Sequence, residues 1–373
     1  MKIGIDISML AYTGSGVATY TYNLAKNLLI YDKKNEYILF YSSFRKPRGF
    51  YYLIELERLG GKIINLILPH TFLKLCWNKF SLLPVERFIG KVDVFHSSDY
   101  LRPPLFKNTL GITTIHDLTW KIFPEFHTKE IIEAHENKLE KTVIFGDIII
   151  VDSYNTKKDL IKYYPQLHPK NIFVIYPGVD NKFKPIKDEQ LVKKKLTKYG
   201  IDTRNRFLLY VGAIEPRKNL VTAIKLYYEL IKDRSYSDFN FIIVGRAGWK
   251  NEEVFQTINN LKLTDKVKII GFVEDQDLPY IYNAAQVFIY LSKYEGFGLP
   301  PLEAGKCGIP SLIYLNSSLQ EIFPSDYPFA QKGSELETLI DLIKIRYKPY
   351  QKHLEKFSWK SYCDIYLDIV KSH

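Results

Sequence analysis

Two series of short apolar runs alternate with helical patterns along this chain, and a linker separates the series. The runs are rich in β-branched residues and continuously apolar, which is typical of parallel strands buried on both faces of a sheet. We therefore predict an α/β protein of two doubly wound domains. The predicted strands span residues 2–7, 37–41, 62–66, 92–96, 111–115, 147–151 and 172–175 in the first series, and 207–212, 240–245, 267–271, 287–290 and 310–314 in the second.

The length of 373 residues agrees with two domains, since one domain usually contains about 100–200 residues. Two prolines, a glycine and then a charged run follow the first series, which indicates a linker and a short polar helix. We predict an N-terminal domain over residues 1–175 and a C-terminal domain over residues 176–355. Residues 356–373 carry apolar side chains at helical spacing and predict a final helix.

The composition excludes several protein classes. With 46% hydrophobic and 25% charged residues, the chain is neither disordered, collagen-like nor a coiled coil. Its net charge of +11 favours anionic partners, but no recognition helix, RNP-like motif or zinc finger accompanies the charge, so we expect no nucleic acid. Cys76, Cys307 and Cys363 lie far apart and form no disulfide or zinc pattern. Without a signal-like N-terminus or an 18-residue apolar run, we expect a cytoplasmic protein.

A glycine turn follows the first predicted strand, where Gly14, Ser15 and Gly16 precede a predicted helix. Glycines at such a turn let backbone amides approach an anion, and the helix dipole favours negative charge there. A tight turn without a ligand explains the pattern equally well. The third glycine of the G-x-G-x-x-G fingerprint is absent.

A basic pair follows the strand 207–212, which ends at Gly212. Arg217 and Lys218 lie near the start of the next predicted helix, after a proline that stiffens the loop. A planar guanidinium beside a point charge suits a diphosphate. The alternative is a solvent-exposed basic loop.

A second glycine loop lies between Glu295 and Glu303, after the strand 287–290. Two prolines follow Gly298 and Leu299 and suit the first turn of a helix, so the amides of Gly298 and Leu299 are predicted to point at an anion. Glu303 lies one turn into that helix, where its carboxylate could accept two sugar hydroxyls, and Glu295 could do the same for another ring. A surface or helix-dipole role is the alternative for each glutamate.

The E-x7-E spacing of Glu295 and Glu303 resembles that of the retaining glycosyltransferase family 4, which has the GT-B fold. Other pieces that resemble the family follow in the expected order along nearly the whole chain. They are Gly14-Ser15-Gly16, Ile115-His116-Asp117-Leu118, Val151-Asp152-Ser153, Tyr176-Pro177-Gly178-Val179-Asp180, Val211-Gly212, Arg217-Lys218-Asn219, Val244-Gly245, Gly271-Phe272-Val273 and Phe357-Ser358-Trp359. The resemblance implies two Rossmann-like domains facing a central cleft, with residues 356–373 crossing back to pack on the first domain.

The resemblance also implies a role for each charged residue. Arg217 and Lys218 would neutralise the leaving nucleoside diphosphate, Glu303 would hold the ribose hydroxyls, and Glu295 would hold hydroxyls of the donor sugar. Further donor contacts are implied at Gly14, Ser15, Gly16, Gly212, Gly298 and Leu299, and near the base at Phe272 and Val273.

Three residues of the predicted first domain are implied on the acceptor side. His116 ends the strand 111–115 and would lie beside the transferred sugar. Asp117 would accompany it, or would instead cap the turn. His96 would line the acceptor pocket with the segment 96–100, or would instead support the fold.

The implied activity is retaining, metal-independent hexosyl transfer from a nucleotide-diphosphate donor to a hydroxyl of a glycan or a lipid-linked glycan, with no cofactor besides the donor substrate. The run 115–120 looks most like mannosyltransferases of surface-polysaccharide synthesis, which favours mannose and GDP-mannose. The resemblance implies front-face departure as the mechanism, and no side chain is clearly placed as a covalent nucleophile. The alternatives are another GT-B enzyme, such as a sugar-nucleotide epimerase or a phosphorylase, and a non-catalytic nucleotide-sugar-binding protein.

Two further patterns bear on partners. Asp275-Gln276-Asp277 spells the D-x-D of some metal-dependent glycosyltransferases, but it directly precedes a predicted helix, so we interpret its acidic residues as helix caps and predict no metal site. Residues 40–91 contain nine Lys or Arg and three Glu, and the part 72–80 mixes apolar, aromatic and basic side chains. That part is either a peripheral contact with an anionic membrane surface or an ordinary amphipathic helix packed on the first domain.

Overall fold

A computed structural model of the chain describes residues 1–12, 14–43, 50–68, 70–97, 100–345 and 351–373. These residues form two compact units, one of residues 1–178 with 357–373 and one of residues 179–356. Some residues in or beside predicted features lie outside the described residues: Thr13, which directly precedes the glycine turn, residues 44–49 and 69 of the basic stretch, and residues 98–99 of the segment 96–100.

The first unit is built on a parallel sheet of seven strands in the order β3-β2-β1-β4-β5-β6-β7. Its strands are β1 (Lys2–Asp6), β2 (Glu36–Ser42), β3 (Lys62–Leu66), β4 (Val94–Ser97), β5 (Leu110–Ile115), β6 (Ile148–Val151) and β7 (Ile172–Val174). The helices along this part of the chain are α1 (Gly16–Tyr31), α2 (Phe50–Arg58), α3 (His70–Leu73), which continues as a π-helical segment (Lys74–Lys79), α4 (Glu86–Ile89), α5 (Thr119–Ile122), α6 (Lys129–Phe145) and α7 (Tyr154–Tyr163). The central strands are buried along nearly their whole length, as their continuous apolar runs require.

The second unit is built on a parallel sheet of five strands in the order β10-β9-β8-β11-β12. Its strands are β8 (Phe207–Val211), β9 (Asn240–Val244), β10 (Val267–Gly271), β11 (Val287–Tyr290) and β12 (Ser311–Ile313). Its helices are α8 (Glu189–Lys198), α9 (Leu220–Ile231), α10 (Glu252–Asn260), α11 (Leu278–Ala284), α12 (Leu299–Lys306), α13 (Leu319–Ile322), α14 (Glu335–Ile345) and α15 (Gln351–Leu354). This strand order is the doubly wound pattern of a Rossmann-like domain.

The final helix, α16 (Trp359–Ser372), packs on the first unit. Its buried side chains at helical spacing include Tyr362 and Tyr366, and they join the core formed by α1 and the sheet. Gly178 allows the close approach, because a Cβ atom there would overlap the backbone between Ser358 and Trp359. The predicted fold of two Rossmann-like domains, with a last helix returning to the first, is confirmed.

Asp277 corrects one local prediction. It occupies the N-cap position of α11, but its side chain makes no capping hydrogen bond. The carboxylate is fully buried and instead accepts hydrogen bonds from Lys195 (2.6 Å), Lys198 (2.8 Å) and the hydroxyl of Tyr199 (2.8 Å). Burial alone would raise the pKa of Asp277, but these three partners outweigh it and hold the pKa at about 2. Asp277 therefore joins α11 to α8 and to Tyr199, the residue that follows α8.

Candidate active site

The candidate donor site of the second unit lies where two neighbouring strands end. Strands β8 and β11 pair in parallel at the centre of the sheet, although β9 and β10 intervene in sequence. Their carboxyl ends therefore define the point where the strand order reverses, which is where open α/β sheets bind ligands. The loop after β8 carries Arg217 and Lys218, and the loop after β11 carries Glu295.

The two loops are tied together by one side-chain and one backbone hydrogen bond. Residues Pro216–Lys218 form a single 3-10 turn, and Asn219 follows in the left-handed conformation with φ 56°. The side-chain Nδ2 of Asn219 donates to the carbonyl oxygen of Leu291 (3.1 Å), and the backbone amide of Lys293 donates to the carbonyl oxygen of Arg217 (2.9 Å). These bonds fix the position of the basic pair relative to the end of β11.

Glu295 lies between the two cations and binds both. Its Oε1 accepts a hydrogen bond from Nζ of Lys218 at 2.7 Å, and its Oε2 accepts one from Arg217 at 2.8 Å. Arg217 also donates to Glu215 at 2.8 Å, and Lys218 donates to the hydroxyl of Tyr290 at 2.7 Å. The cluster thus brings two positive and two negative groups together in a buried place.

The burial of the cluster excludes the solvent-exposed basic loop that the sequence left as an alternative. Lys218 is only 9% exposed and Glu295 only 5% exposed, so neither belongs to a solvated loop. Burial by itself would raise the pKa of Glu295, but the charges of Arg217 and Lys218 outweigh it and hold the pKa at about 2. Burial, with the neighbouring charge of Arg217, lowers the pKa of Lys218. Because ionised groups are costly to bury without partners, each charge of the cluster fixes the others in place.

Glu303 lies on α12, which begins at the end of the loop after β11. Gly298 is the N-cap of this helix with φ 111°, and a Cβ atom there would lie 2.7 Å from the Leu319 side chain, so only glycine fits the turn. The second and third residues of α12 are prolines without amide protons, which leaves Leu299 to present the first N–H of the helix. The predicted anion-facing role of Gly298 and Leu299 is compatible with this geometry.

The Glu303 carboxylate is buried and accepts a hydrogen bond from the hydroxyl of Tyr282 at 2.9 Å. Burial raises the pKa of Glu303 to about 7, although the bond from Tyr282 and the charge of Lys182 act in the opposite direction. A carboxylate with such a pKa changes its charge near neutral pH. The interpretation of Glu303 as a surface residue is therefore wrong.

Three adjacent strands of the same sheet end in glycines with positive φ: Gly212 after β8, Gly245 after β9 and Gly271 at the end of β10. Because these three residues have no side chains, they do not cover the carboxyl edge of the sheet beside the charged cluster. Next along the chain, Phe272 is 50% exposed and Val273 is buried. Of this predicted base-binding pair, the phenyl ring is therefore the accessible side chain.

The candidate site of the first unit is centred on His116, which follows β5. Its Nδ1 lies 2.6 Å from Oδ2 of Asp152, which follows the neighbouring strand β6, and its ring makes a T-shaped contact with the ring of Tyr20. A small cavity with room for about one water molecule lies beside it. The residues that line the cavity are Ile5, Asp6, Tyr20, Thr21, Leu24, His96, Ser97, Thr114 and His116.

The other predicted residues of this unit have local structural partners. Asp117 accepts hydrogen bonds from the amide (2.9 Å) and hydroxyl (2.6 Å) of Thr119, as expected of a turn cap. His96 is 2% exposed, bonds Thr114 through Nε2 (2.8 Å) and Tyr366 through Nδ1 (3.3 Å), and burial lowers its pKa to about 3. His96 is therefore a neutral residue that joins β4 to β5 and α16.

The glycine turn at Gly14, Ser15 and Gly16 opens α1. The Ser15 hydroxyl accepts a hydrogen bond from the amide of Ala18 at 3.2 Å, so its side chain caps the helix. Both glycines are exposed. Backbone groups, rather than the serine side chain, are thus what this turn offers to a ligand.

Sequence reasoning did not assign roles to four residues that contact the predicted ones: Asp152, Glu215, Tyr282 and Tyr290. Asp152 and Glu215 carry a weak signal, since Asp152 directly follows a strand in a piece that resembles the family and Glu215 lies two residues before Arg217. The tyrosines carry none, because aromatic residues in an apolar run predict only core packing. Among the described residues, no group of three or more His, Cys, Asp or Glu is arranged to hold a metal ion.

Comparison with known proteins identifies the class of the molecule. The profile of "Glycosyltransferase Family 4" matches residues 14–183, and that of "Glycosyl transferases group 1" matches residues 192–344. The chain is 26% identical over 334 residues to the O-antigen chain mannosyltransferase B of Escherichia coli, covering 86% of this chain and 84% of that protein. It is 28% identical over 212 residues to the O-antigen chain mannosyltransferase RfbU of Salmonella typhimurium, covering 56% and 53%.

Solved structures agree with the fold. A crystal structure of Anabaena Alr3699/HepE in complex with UDP-glucose superposes with a TM-score of 0.72 at 16% identity, over the whole of both chains. The glycosyltransferase WaaG of lipopolysaccharide biosynthesis superposes with a TM-score of 0.65 at 14% identity, covering 99% and 95%. The chain therefore belongs to glycosyltransferase family 4, and its two units are those of the GT-B fold.

Proposed function

We propose that the protein is a retaining glycosyltransferase that moves mannose from GDP-mannose to a hydroxyl of a glycan or lipid-linked glycan. The observation that carries the proposal is the buried cluster of Arg217, Lys218 and Glu295 at the carboxyl ends of β8 and β11, with Glu303 on the helix that follows. Paired cations at such a switch point suit a diphosphate. The carboxylate of Glu303 suits two vicinal ribose hydroxyls.

In this proposal, Arg217 and Lys218 bind the donor diphosphate and stabilise the negative charge that grows on it as the sugar departs. Glu295 holds the two cations in place and receives hydroxyls of the donor sugar. Amides at Gly298 and Leu299 add to the phosphate contacts, and the segment at Phe272 contacts the base. In the second unit, backbone groups of Gly212 add to the donor contacts, and for the first unit we propose a donor contact at the turn 14–16.

The identity of the sugar rests on the relatives. Two O-antigen mannosyltransferases match the chain, one of them over 86% of its length. Uridine nucleotides are the competing donors, because the structurally similar Anabaena protein was solved with UDP-glucose.

A thermal-shift screen with GDP, UDP, ADP and their sugars tests the donor. We expect GDP and GDP-mannose to raise the melting temperature, since a ligand at 100 times its dissociation constant stabilises the folded state by about 2.7 kcal/mol. If only UDP compounds raise the melting temperature, the donor is a UDP-linked sugar and not GDP-mannose. If none of the nucleotides raises it, the proposed activity is refuted.

The proposed mechanism is front-face departure without a metal ion. The leaving phosphate accepts the proton of the acceptor hydroxyl, while Arg217 and Lys218 take the place of a divalent cation. The transferred sugar keeps its anomeric configuration, which the anomeric proton of the product reports by NMR, and EDTA leaves turnover unchanged. His116, oriented by Asp152, binds the transferred sugar from the first unit.

The binding of a nucleotide sugar is expected to depend on pH through Glu303. Because burial raises its pKa to about 7, Glu303 is largely protonated below that pH and accepts fewer hydrogen bonds from ribose. We expect the dissociation constant of GDP-mannose to rise up to about tenfold per pH unit below 7, measured by calorimetry. A nucleotide sugar is the suitable probe, because its diesterified phosphates do not titrate in this range. A flat profile would contradict the ribose role.

We also propose that the first unit contacts an anionic membrane surface through the segment 72–80. Leu73, Cys76 and Trp77 are buried and hold the segment on the domain, whereas Phe72 (42%) and Leu75 (46%) are exposed. Phe80 is 54% exposed, and Lys79 lies on the exposed side one turn after Leu75. The segment therefore packs on the domain through one face and presents an apolar and basic face outward.

Co-sedimentation with vesicles tests this contact. Wild-type protein is expected to sediment with vesicles rich in phosphatidylglycerol and to stay in solution with phosphatidylcholine, because basic residues gain about 1 kcal/mol each at an anionic surface. Leu75→Glu should abolish sedimentation, and Ile144→Glu, at a more exposed position of α6 (65% against 46% for Leu75), should not. Equal sedimentation of both variants would refute the contact.

The proposed location is the cytoplasmic side of such a membrane. Among the described residues, no helix has both the length and the apolar character needed to cross a bilayer. Cys76, Cys307 and Cys363 are all buried thiols, which agrees with a reducing compartment.

A further inference from the structure

Two buried tyrosines lie directly behind the charged groups of the donor site. The hydroxyl of Tyr290, the last residue of β11, accepts a hydrogen bond from Lys218 at 2.7 Å and is itself hydrogen-bonded to Glu295. The hydroxyl of Tyr282, on α11, donates to Oε2 of Glu303 at 2.9 Å. Both tyrosines are at most 1% exposed, so neither ring can serve a ligand directly.

One aromatic ring connects the two tyrosines. Phe288 stacks on Tyr290 with ring centroids 5.6 Å apart and planes inclined by 22°, and it contacts the ring of Tyr282 at 5.5 Å. The three rings form a continuous buried row from Lys218 at one end to Glu303 at the other. Close-packed rings of this kind leave little freedom for their hydroxyl groups to move.

The row of rings affects the direction in which Lys218 can donate its remaining hydrogen bond. An ammonium group has three N–H donors at tetrahedral directions, and Glu295 and Tyr290 take two of them at 2.7 Å each. The direction of the third donor is then fixed. At the other end, the bond from Tyr282 fixes the rotation of the Glu303 carboxylate.

We infer that Tyr290 and Tyr282 are positioning residues for the two ends of a bound nucleoside diphosphate. Tyr290 directs the ammonium group of Lys218 towards the phosphates, and Tyr282 directs the carboxylate of Glu303 towards the ribose. This inference rests on the proposed function, because it needs the phosphates at Lys218 and the ribose at Glu303.

Two Tyr→Phe variants separate the two ends. Tyr290→Phe is expected to reduce the preference for GDP over GMP about fivefold to tenfold, because its effect falls on the phosphates, and a hydrogen bond of this type contributes about 1 kcal/mol. Tyr282→Phe is expected to lower the affinities for GDP and GMP by the same factor, also about fivefold to tenfold, because both ligands carry the ribose. UDP and UMP replace the guanine nucleotides if the screen selects uridine.

Tyr227→Phe is the matched control. Tyr227 is fully buried in the same unit, and its hydroxyl donates to the carbonyl oxygen of Phe239 at 2.8 Å, so the same atom and one hydrogen bond are lost. We expect this variant to lower the melting temperature about as much as Tyr282→Phe and to leave both nucleotide affinities unchanged. A purely structural role of Tyr282 and Tyr290 would make all three variants alike.

The pH profile is a second readout for Tyr282. The titratable groups that face Glu303 are Tyr282, Lys182, Asp275, Asp180 and Cys307. Removing the Tyr282 hydroxyl removes a hydrogen bond that favours the ionised carboxylate, so the midpoint of GDP-mannose binding should move to higher pH. The midpoint of Tyr227→Phe should match that of wild type.

The outcomes distinguish the inference from the function on which it rests. If wild-type protein binds no nucleotide, the proposed function fails and the inference fails with it. If wild-type protein binds nucleotides but Tyr290→Phe leaves the GDP-over-GMP preference unchanged, or Tyr282→Phe leaves the affinities and the pH midpoint unchanged, the inference alone is overturned.

Discussion

Replacing Lys218 by Ala is expected to lower the turnover number several hundred-fold while the protein stays folded. The lysine is the buried point charge of the proposed diphosphate site, and removing one donor aimed at developing negative charge typically costs about 10²–10³ in rate. Glu295 keeps its bond to Arg217 at 2.8 Å, so the variant leaves no carboxylate of the cluster without a cationic partner. Initial rates with GDP-mannose and a glycan acceptor measure the effect.

The control for this variant is Lys232→Ala. Lys232 directly follows α9, is about half exposed, pairs with Glu229 and lies over the ring of Tyr228 on the same surface. Surface pairs of this kind contribute little to stability, so this variant should keep full activity. Near-wild-type turnover of Lys218→Ala, with both variants equally stable, would contradict the proposed role of Lys218 in binding the diphosphate.

Replacing Glu303 by Gln is expected to weaken nucleotide binding about 10–100-fold. Hydrogen bonds to a charged group contribute about 1.5–3 kcal/mol, and the amide is neutral and offers one acceptor oxygen where the carboxylate offers two. Because burial raises the pKa of Glu303 to about 7, ionising it costs folding free energy as the pH rises through that value. The amide avoids that cost, so the melting temperature of the variant should not fall at pH 8. Calorimetric titration and a melting curve give the two quantities.

Glu335→Gln is the matched control for Glu303. Glu335 begins α14 in the same unit and also accepts a hydrogen bond from a tyrosine, at 2.7 Å from the hydroxyl of Tyr314. It is not one of the residues that we propose to contact the donor, so its replacement should leave nucleotide affinity unchanged. Equal affinities for the two variants would exclude ribose binding by Glu303.

The fold could be predicted from the sequence because its strands are buried on both faces. Continuous apolar runs locate every strand of both sheets to within about two residues, and the apolar spacing of residues 359–370 locates α16. What the runs do not contain is the order of strands in a sheet. The neighbours β8 and β11 are separated by β9 and β10 in sequence, so the contact between Lys218 and Glu295, 77 residues apart, emerges only from the assembled sheet.

The candidate site was predictable residue by residue but not as a set of partners. Arg217, Lys218 and Glu303 carry motifs, whereas the side chains that hold them are ordinary core tyrosines and a glutamate in a loop. At Asp277 the sequence pattern predicted a role that the structure does not show. Its position before α11 is typical of a cap, but three partners from the region of α8 compete for its carboxylate more strongly than the backbone amides do.

The most direct measurement is a crystal structure of the protein with GDP-mannose bound. We predict the diphosphate within hydrogen-bond distance of Arg217 and Lys218, and both ribose hydroxyls on the carboxylate of Glu303. A nucleotide bound elsewhere, with Arg217 and Lys218 still bonded only to the partners they have in the free protein, would contradict the proposed chemistry.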